Sequence, residues 1–181
     1  MVIYFTLDSE GRLEGVSSHP SNVDGEISMN IREDHEVLKN PFIFRYENGE
    51  LVKDVEFQLQ QLKISKLNEL NQACEYHILN GFKHKIREEI YHFSYDKEAQ
   101  LNLRDTKELF DTDIITEHTL TAKKNGECVR VTVNKEEFNN LYVVSVKHKN
   151  ECISKLRDQL EPMVRSAATV EDIVNISWHS I

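Results

Sequence analysis

The sequence predicts an α+β fold: a small N-terminal antiparallel β module, a long connecting helix, and a C-terminal α+β domain of helices with a β-hairpin. Three observations carry that prediction. Short β-branched and aromatic runs crowd the first fifty-odd residues, the stretch Val55 to Asn80 contains neither Gly nor Pro, and an Asn125-Gly126 pair separates two strand-like runs. The expected division is a β module over residues 1–54, a connector helix over 55–66 that continues into the next part, and an α+β domain over 67–181.

In order along the chain, "VIYFTL" and "LEGVSS" flank the turn-like "DSEGR" and predict a hairpin around Gly11. "EISMNI" places Ile27, Met29 and Ile31 on one face, and Phe42, Phe44 and Tyr46 alternate ahead of an Asn48-Gly49 turn, which predicts a second hairpin. "REDHEVLKN" between them reads equally as an irregular turn or one helical turn. Asp54 is a suitable N-cap for the long helix, and Asn80-Gly81 supplies a left-handed stop. Val55, Leu59 and Leu62 form one apolar stripe; Leu67, Leu70, Cys74 and Ile78 form another in a different phase. The first half therefore reads as a connector and a coiled-coil seam. "FKHKIREEIYHFSY" fits both helical and strand periods, with a two-stranded excursion as one reading. Asp96 then caps a helix that buries Ala99, Leu103 and Phe110, and strands flank Asn125-Gly126 in the firmest hairpin signal of the chain. Asn134 with Glu137 makes a capping box for a helix expected to run to Pro162, and Thr169 caps a last short helix before Trp178.

Composition narrows the function classes. Hydrophobic residues at 39% and charged residues at 29% lie in the globular range. With 31 Asp+Glu against 22 Lys+Arg the formal charge is -9, which repels a phosphate backbone, so no nucleic acid is expected as partner. No window approaches the roughly 20 consecutive apolar residues of a membrane helix. No membrane insertion is expected, and the N-terminus has no basic leader, so a soluble, unprocessed chain is expected. Cys74, Cys128 and Cys152 lie far apart without a CxxC, as expected of reduced thiols in a cytosol.

No reactive constellation emerges. The eight histidines include no HExxH, HxH or HxxxH; the nearest approach is His84 with His92, facing each other if their segment is a hairpin. Cys74 sits on an apolar helical stripe, which suits a core thiol better than a nucleophile. GxSxG, GxxxxGK[ST] and GxGxxG are absent. The pairs Asp96/Glu98, Glu88/Glu89 and Asp111/Asp113 show no apolar surroundings that would separate their pKa values for acid–base work. Lys83, Lys85 and Arg87 with Phe82, Tyr91 and Phe93 have the composition of a stacking platform for single strands, which the net charge opposes. The expectation is a non-enzyme with no catalytic residue, cofactor or metal.

"LNELNQACEYHILNGF", "YDKEAQLNL", "TAKKNGECVRVT" followed by "EF", "KNECISKLRDQL" and "ATVEDIVNISW" occur in that order. Together they give residues from about Lys66 to Trp178 a resemblance to a domain of unknown function found in bacteriophage tail-fibre and baseplate-associated proteins. The N-terminal part is similar to β modules that begin accessory tail proteins. The resemblance implies a virion component of the phage tail, synthesised in the host cytoplasm, whose partners are other tail or fibre proteins and which is a homo-oligomer, a trimer in preference. Val55, Leu59, Leu62, Phe42 and Phe44 are then the partner-contact candidates. It also implies that Tyr95, Asp96, Gln100, Leu101 and Asn102 determine the fold, the aromatic docking the turn, Asp96 capping, and the two amides satisfying backbone groups; Asn125 and Gly126 do so through their turn. A tail-fibre assembly chaperone and a cell-wall carbohydrate-binding module are the alternatives, the latter weakened by a single Trp.

Overall fold

In the computed structural model, which describes residues Met1–Ile181, an α+β chain forms two units, Met1–Ile64 and Ser65–Ile181. The first unit is built from two small antiparallel sheets. Strand β1 (Val2–Phe5) pairs with β2 (Ile27–Asn30) in the register Val2↔Asn30, and β3 (Phe44–Glu47) pairs with β4 (Glu50–Lys53). Asn48 and Gly49 between β3 and β4 both have positive φ, 52° and 90°, the backbone of a two-residue hairpin turn. Ile3, Phe5, Leu13, Val37, Ile43 and Phe44 form the core of this unit.

Two local expectations change here. The segment after β1 does fold back, but only through the isolated bridges Leu7↔Leu13 and Tyr4↔Ser17. The Asp8 carboxylate accepts the Glu10 and Arg12 N–H groups, at 2.8 and 2.9 Å, which bends the chain too tightly for a continuous ladder, and β1 takes β2 as its regular partner. The alternation of Phe42, Phe44 and Tyr46 also fails at its start. Pro41 opens a 3-10 turn, Pro41–Ile43, so Phe42 points to solvent while the adjacent Ile43 and Phe44 are both buried. The open segment at 32–40 contains one 3-10 turn, Glu36–Leu38, whose Val37 N–H donates to His35 Nδ1 at 3.1 Å.

Helix α1 (Val55–Asn80) begins in the first unit and ends in the second. Asp54 Oδ1 accepts the Phe57 N–H at 2.9 Å, and Gly81 at φ 89° ends the helix. The second unit continues with β5 (Phe82–Ile86), β6 (Glu89–Phe93), α2 (Lys97–Asp111), β7 (Glu117–Lys124) and β8 (Glu127–Asn134). The four strands form one antiparallel sheet in chain order. The ambiguous 82–95 segment is thus a hairpin, closed by Arg87 at φ 56° and Glu88.

One face of this sheet is apolar. Phe82, Phe93, Val131 and Val133 pack there against Leu103 and Phe110 of α2 and against Phe138 and Leu141 of α3 (Lys135–Ser154). Burying a side chain such as Phe138 fully contributes about 1.5–3 kcal/mol. The opposite face, with Lys83, Lys85, Ile90, Lys123, Thr121, Arg130 and Thr132, is exposed. A second cluster joins Leu70 and Cys74 of α1 to Leu156, Leu160, Val164 and Trp178.

The helix that starts at Lys135 does not stop at Pro162. A π-helical turn, Lys155–Leu160, follows α3, and α4 (Glu161–Ser166) carries the chain past the proline. The Glu161 N–H reaches back five residues to Leu156 O, so Pro162 stands in the first turn of α4, where a missing N–H removes no bond. Helix α5 (Val170–Asn175) begins with a Thr169–Asp172 capping box.

Helix α3 begins with a box as well: the Glu137 N–H donates to Asn134 Oδ1 at 2.9 Å and the Asn134 N–H donates to Glu137 Oε2 at 3.1 Å. Asn134→Ala is expected to lower stability by about 1 kcal/mol, a fall of roughly 4 °C in the melting temperature. Thermal melts followed by the fluorescence of Trp178, the only tryptophan, measure it.

Candidate functional site

In the first unit the distinctive geometry surrounds the start of α1. The Asp54 side chain is 11% exposed, and its Oδ2 accepts the Arg45 Nε–H at 2.7 Å and the Arg12 Nε–H at 3.4 Å, while Oδ1 caps the helix. Arg12 also pairs with Glu10, and its guanidinium carbon lies 4.1 Å from the centre of the Phe57 ring. The cap bond from Phe57, then Arg45 and Arg12, hold the Asp54 carboxyl below its usual range against the opposing effect of burial.

Beside this polar knot, apolar side chains are left in solvent. The Asp54 N–H donates to Ile43 O at 2.7 Å, which ties the start of α1 to the 3-10 turn that carries Phe42. Phe42 is 56% and Val55 59% exposed, and Val52 on β4 is exposed as well; Ile64 is exposed farther along α1. Leu59 and Leu62 are half-buried. Phe44 does not join them: at 4% exposure it belongs to the core of the unit, because the turn at Pro41 rotates it inward, and it is not available to a partner.

The Tyr95–Asn102 stretch is a corner of the second unit. Tyr95 is buried edge-on against Phe82, ring centres 5.7 Å apart, and Asp96 Oδ1 accepts the Ala99 N–H at 2.9 Å as the cap of α2. The Gln100 amide N–H donates to Tyr95 O at 2.8 Å, and Lys149 donates to Gln100 Oε1 at 3.3 Å. Leu101 and Asn102 have no such role. Leu101 stands exposed on α2 outside the core, and Asn102, also exposed, lines a groove, because the helical turn carries it away from the backbone groups that Gln100 reaches. Asn125 and Gly126, at φ 51° and 89°, close the β7–β8 hairpin.

Titratable groups elsewhere are dispersed. His84 pairs with Tyr91 and His92 with Lys83, so the two histidines point to opposite faces of the sheet rather than at each other. The His148 Nε2–H donates to His77 O at 3.1 Å and to Ile78 O at 3.3 Å, and His77 stacks on Trp178 with ring centres 5.0 Å apart. No group of three His, Cys, Asp or Glu side chains is placed to hold a metal ion. The carboxylate pairs are shared out among separate cations: Glu88 with Lys85, Glu89 with Lys124, Asp111 with Lys107 and Asp113 with Lys135. The three cysteines are free; burial pushes the Cys74 thiol up, away from the nucleophilic thiolate.

Burial lowers the pKa of His77 from its ordinary value of 6.5, reinforced by the charges of His179, Lys155 and His148, and burial alone lowers that of His84. Both histidines therefore take up protons more readily when unfolded. The stability they give is complete above about pH 6.5 and declines as pH falls through the folded values. The urea midpoint of the second unit is expected to fall between pH 7 and pH 5, and less steeply in His84→Phe.

The second unit also contains a groove of about 480 Å³ between α2 and β7, lined in part by Asn102, Thr106, His118, Thr121 and Arg130. Apart from Asn102, none of these stood out from the sequence. No sequence signal marks them, because the groove follows from a mismatch of strand length set by the fold: β5 and β6 have 5 residues each, β7 and β8 have 8.

Residues 61–177 match the family model described as "Domain of unknown function (DUF4376)". No curated protein and no solved structure matches the chain.

Proposed function

We propose that this chain, which belongs to the DUF4376 family, is a non-enzymatic attachment component of a phage tail or baseplate that docks to other tail or fibre proteins and to its own copies. The reading rests on one observation: Phe42, Val52 and Val55 stand in solvent around the start of α1. Apolar side chains grouped in this way mark contact surfaces. The ordered segments from "LNELNQACEYHILNGF" to "ATVEDIVNISW" supply the tail setting through their resemblance to phage tail-associated domains.

Phe42→Ser with Val55→Ser tests the reading. Both side chains are already exposed, so the double variant should melt within about 0.5 kcal/mol of the parent. Light scattering should show an oligomer, a trimer in the first instance, that the double variant converts to monomer. A parent protein that stays monomeric at high concentration overturns self-association through this surface. Mass spectrometry of purified virions decides the setting: a fixed stoichiometry supports a resident component, and absence points to an assembly chaperone instead.

A further inference from the structure

We propose that the groove between α2 and the free edge of β7 receives an extended polypeptide segment of alternating apolar and acidic residues as an added strand. The site lies wholly in the second unit, and the inference goes beyond the tail reading without depending on it.

The edge is free because two hairpins of unequal length meet. Strand β6 pairs with β7 at His92↔Lys123 alone, since the chain leaves the sheet after Phe93 to form the Tyr95–Asp96 corner. From Glu117 to Ala122, β7 is paired with β8 on one side only. The direction of its backbone groups follows from the turn. A two-residue turn at Asn125-Gly126 makes Lys124↔Glu127 a hydrogen-bonded pair, so Ala122, Leu120 and His118 also exchange bonds with β8. Glu117, Thr119 and Thr121 then aim N–H and C=O away from β8. Two contacts agree with this assignment. Thr119 Oγ1 and Thr132 Oγ1 are 2.9 Å apart, the close approach of a non-hydrogen-bonded pair, and Thr132 O accepts from Arg87 instead of from β7.

The cavity lies along this edge. His118, Thr119, Leu120 and Thr121 all line it, and consecutive strand residues, which point to alternate faces, can share one cavity only along the strand's side. The opposite wall is one stripe of α2: Ala99, Asn102, Thr106 and Leu109. A helix beside an open strand edge leaves room for one extended chain, held by main-chain hydrogen bonds. The six positions from Glu117 to Ala122 span roughly 20 Å. Sheet edges are usually blocked by proline, charge or a covering element; here the helix stands off and about 480 Å³ remains.

The charges define the occupant. The Arg130 guanidinium lies over the edge, donating from Nη1 to Thr121 Oγ1 at 2.7 Å and from Nη2 to Thr119 O at 3.3 Å, with no carboxylate partner. Lys123 and Lys83 on the same face also have none. Asp105, the one carboxylate lining the groove, is held by Arg104 at 3.0 Å. Arg130, Lys123 and Lys83 outnumber Glu117, the carboxylate on that face of β7, so the face is locally positive and favours an acidic ligand although the chain as a whole carries -9. Side chains of an added strand alternate, one set facing Leu103 and Leu109 of α2 and the other lying beside Thr121 and Arg130.

The test is selection of a random nonapeptide library by messenger-RNA display on the full chain, with affinities of enriched peptides measured by fluorescence anisotropy. Enriched sequences should alternate apolar with Asp or Glu. Their binding should weaken tenfold or more in Arg130→Glu and in Thr121→Pro, which removes an outward-facing donor, and should be unchanged in Phe42→Ser. Arg130 is exposed, so Arg130→Glu keeps the test decisive if the proline variant does not fold. Three results overturn the proposal: no enrichment over the bare support, equal binding to Arg130→Glu, or a homodimer that Thr121→Pro dissociates and Phe42→Ser does not, which assigns the edge to a second copy.

Discussion

Gly81→Ala is expected to destabilise the second unit by about 4 kcal/mol or more, among the largest effects of any single substitution. A Cβ at this position would lie 1.9 Å from Phe93 O and 2.9 Å from Ser94 Cα. Both obstacles are backbone, at the point where β6 ends, so relief requires moving the strand that bears the buried Phe93. The residue also has φ 89°, which adds roughly 1–2 kcal/mol for any L side chain. Gly126→Ala is the control. It has the same φ of 89° but nothing within 4 Å of its added Cβ, so only the conformational part should appear. Urea melts followed by Trp178 fluorescence separate the two; equal losses would refute the close approach to β6.

In the first unit the corresponding residue is Asp54. Asp54→Ala removes the cap of α1 and leaves Arg12 and Arg45 facing each other without their shared carboxylate, a loss of about 2–3 kcal/mol. The acid sensitivity has a definite sign. The carboxyl titrates below its ordinary value of 3.8 when folded. Its stabilisation is therefore complete above about pH 4 and is lost as pH falls through the lower, folded value. Amide hydrogen exchange at Phe57 and Gln58, compared between pH 5 and pH 3, should show protection falling in the parent. Asp54→Asn should be weaker at pH 5 and nearly indifferent to the same change. An unchanged slope in Asp54→Asn would show that another carboxylate controls acid unfolding of this unit.

The elements that could be read from the sequence were those fixed by local chemistry. Asp54, Asp96, Asn134 and Thr169 each accept the backbone donor expected of a cap, and Asn48-Gly49 and Asn125-Gly126 each close a hairpin. The structure departs from these local rules where a neighbour in the chain changes the geometry. Pro41 turned Phe42 out and Phe44 in, Asp8 interrupted the first hairpin, and the π turn carried the last long helix past Pro162. Pairing across long distances left less trace. The face that each of His84 and His92 occupies depends on a register that their own neighbours do not specify, since "FKHKIREEIYHF" fits two periods. The β7 edge was hidden for the same reason: no residue within "EHTLTAKK" says where another strand will stop.

The wide turn at Lys155–Leu160 has a consequence for how this chain can tolerate a change of length. Such a turn arises when one residue is added to an α-helix without disturbing what lies on either side. Here Leu156, Leu160 and Val164 all remain buried, whereas Asp158 and Gln159 face water. The segment therefore holds one residue of slack, and deleting Asp158 restores an ordinary helix instead of rotating everything beyond it out of phase.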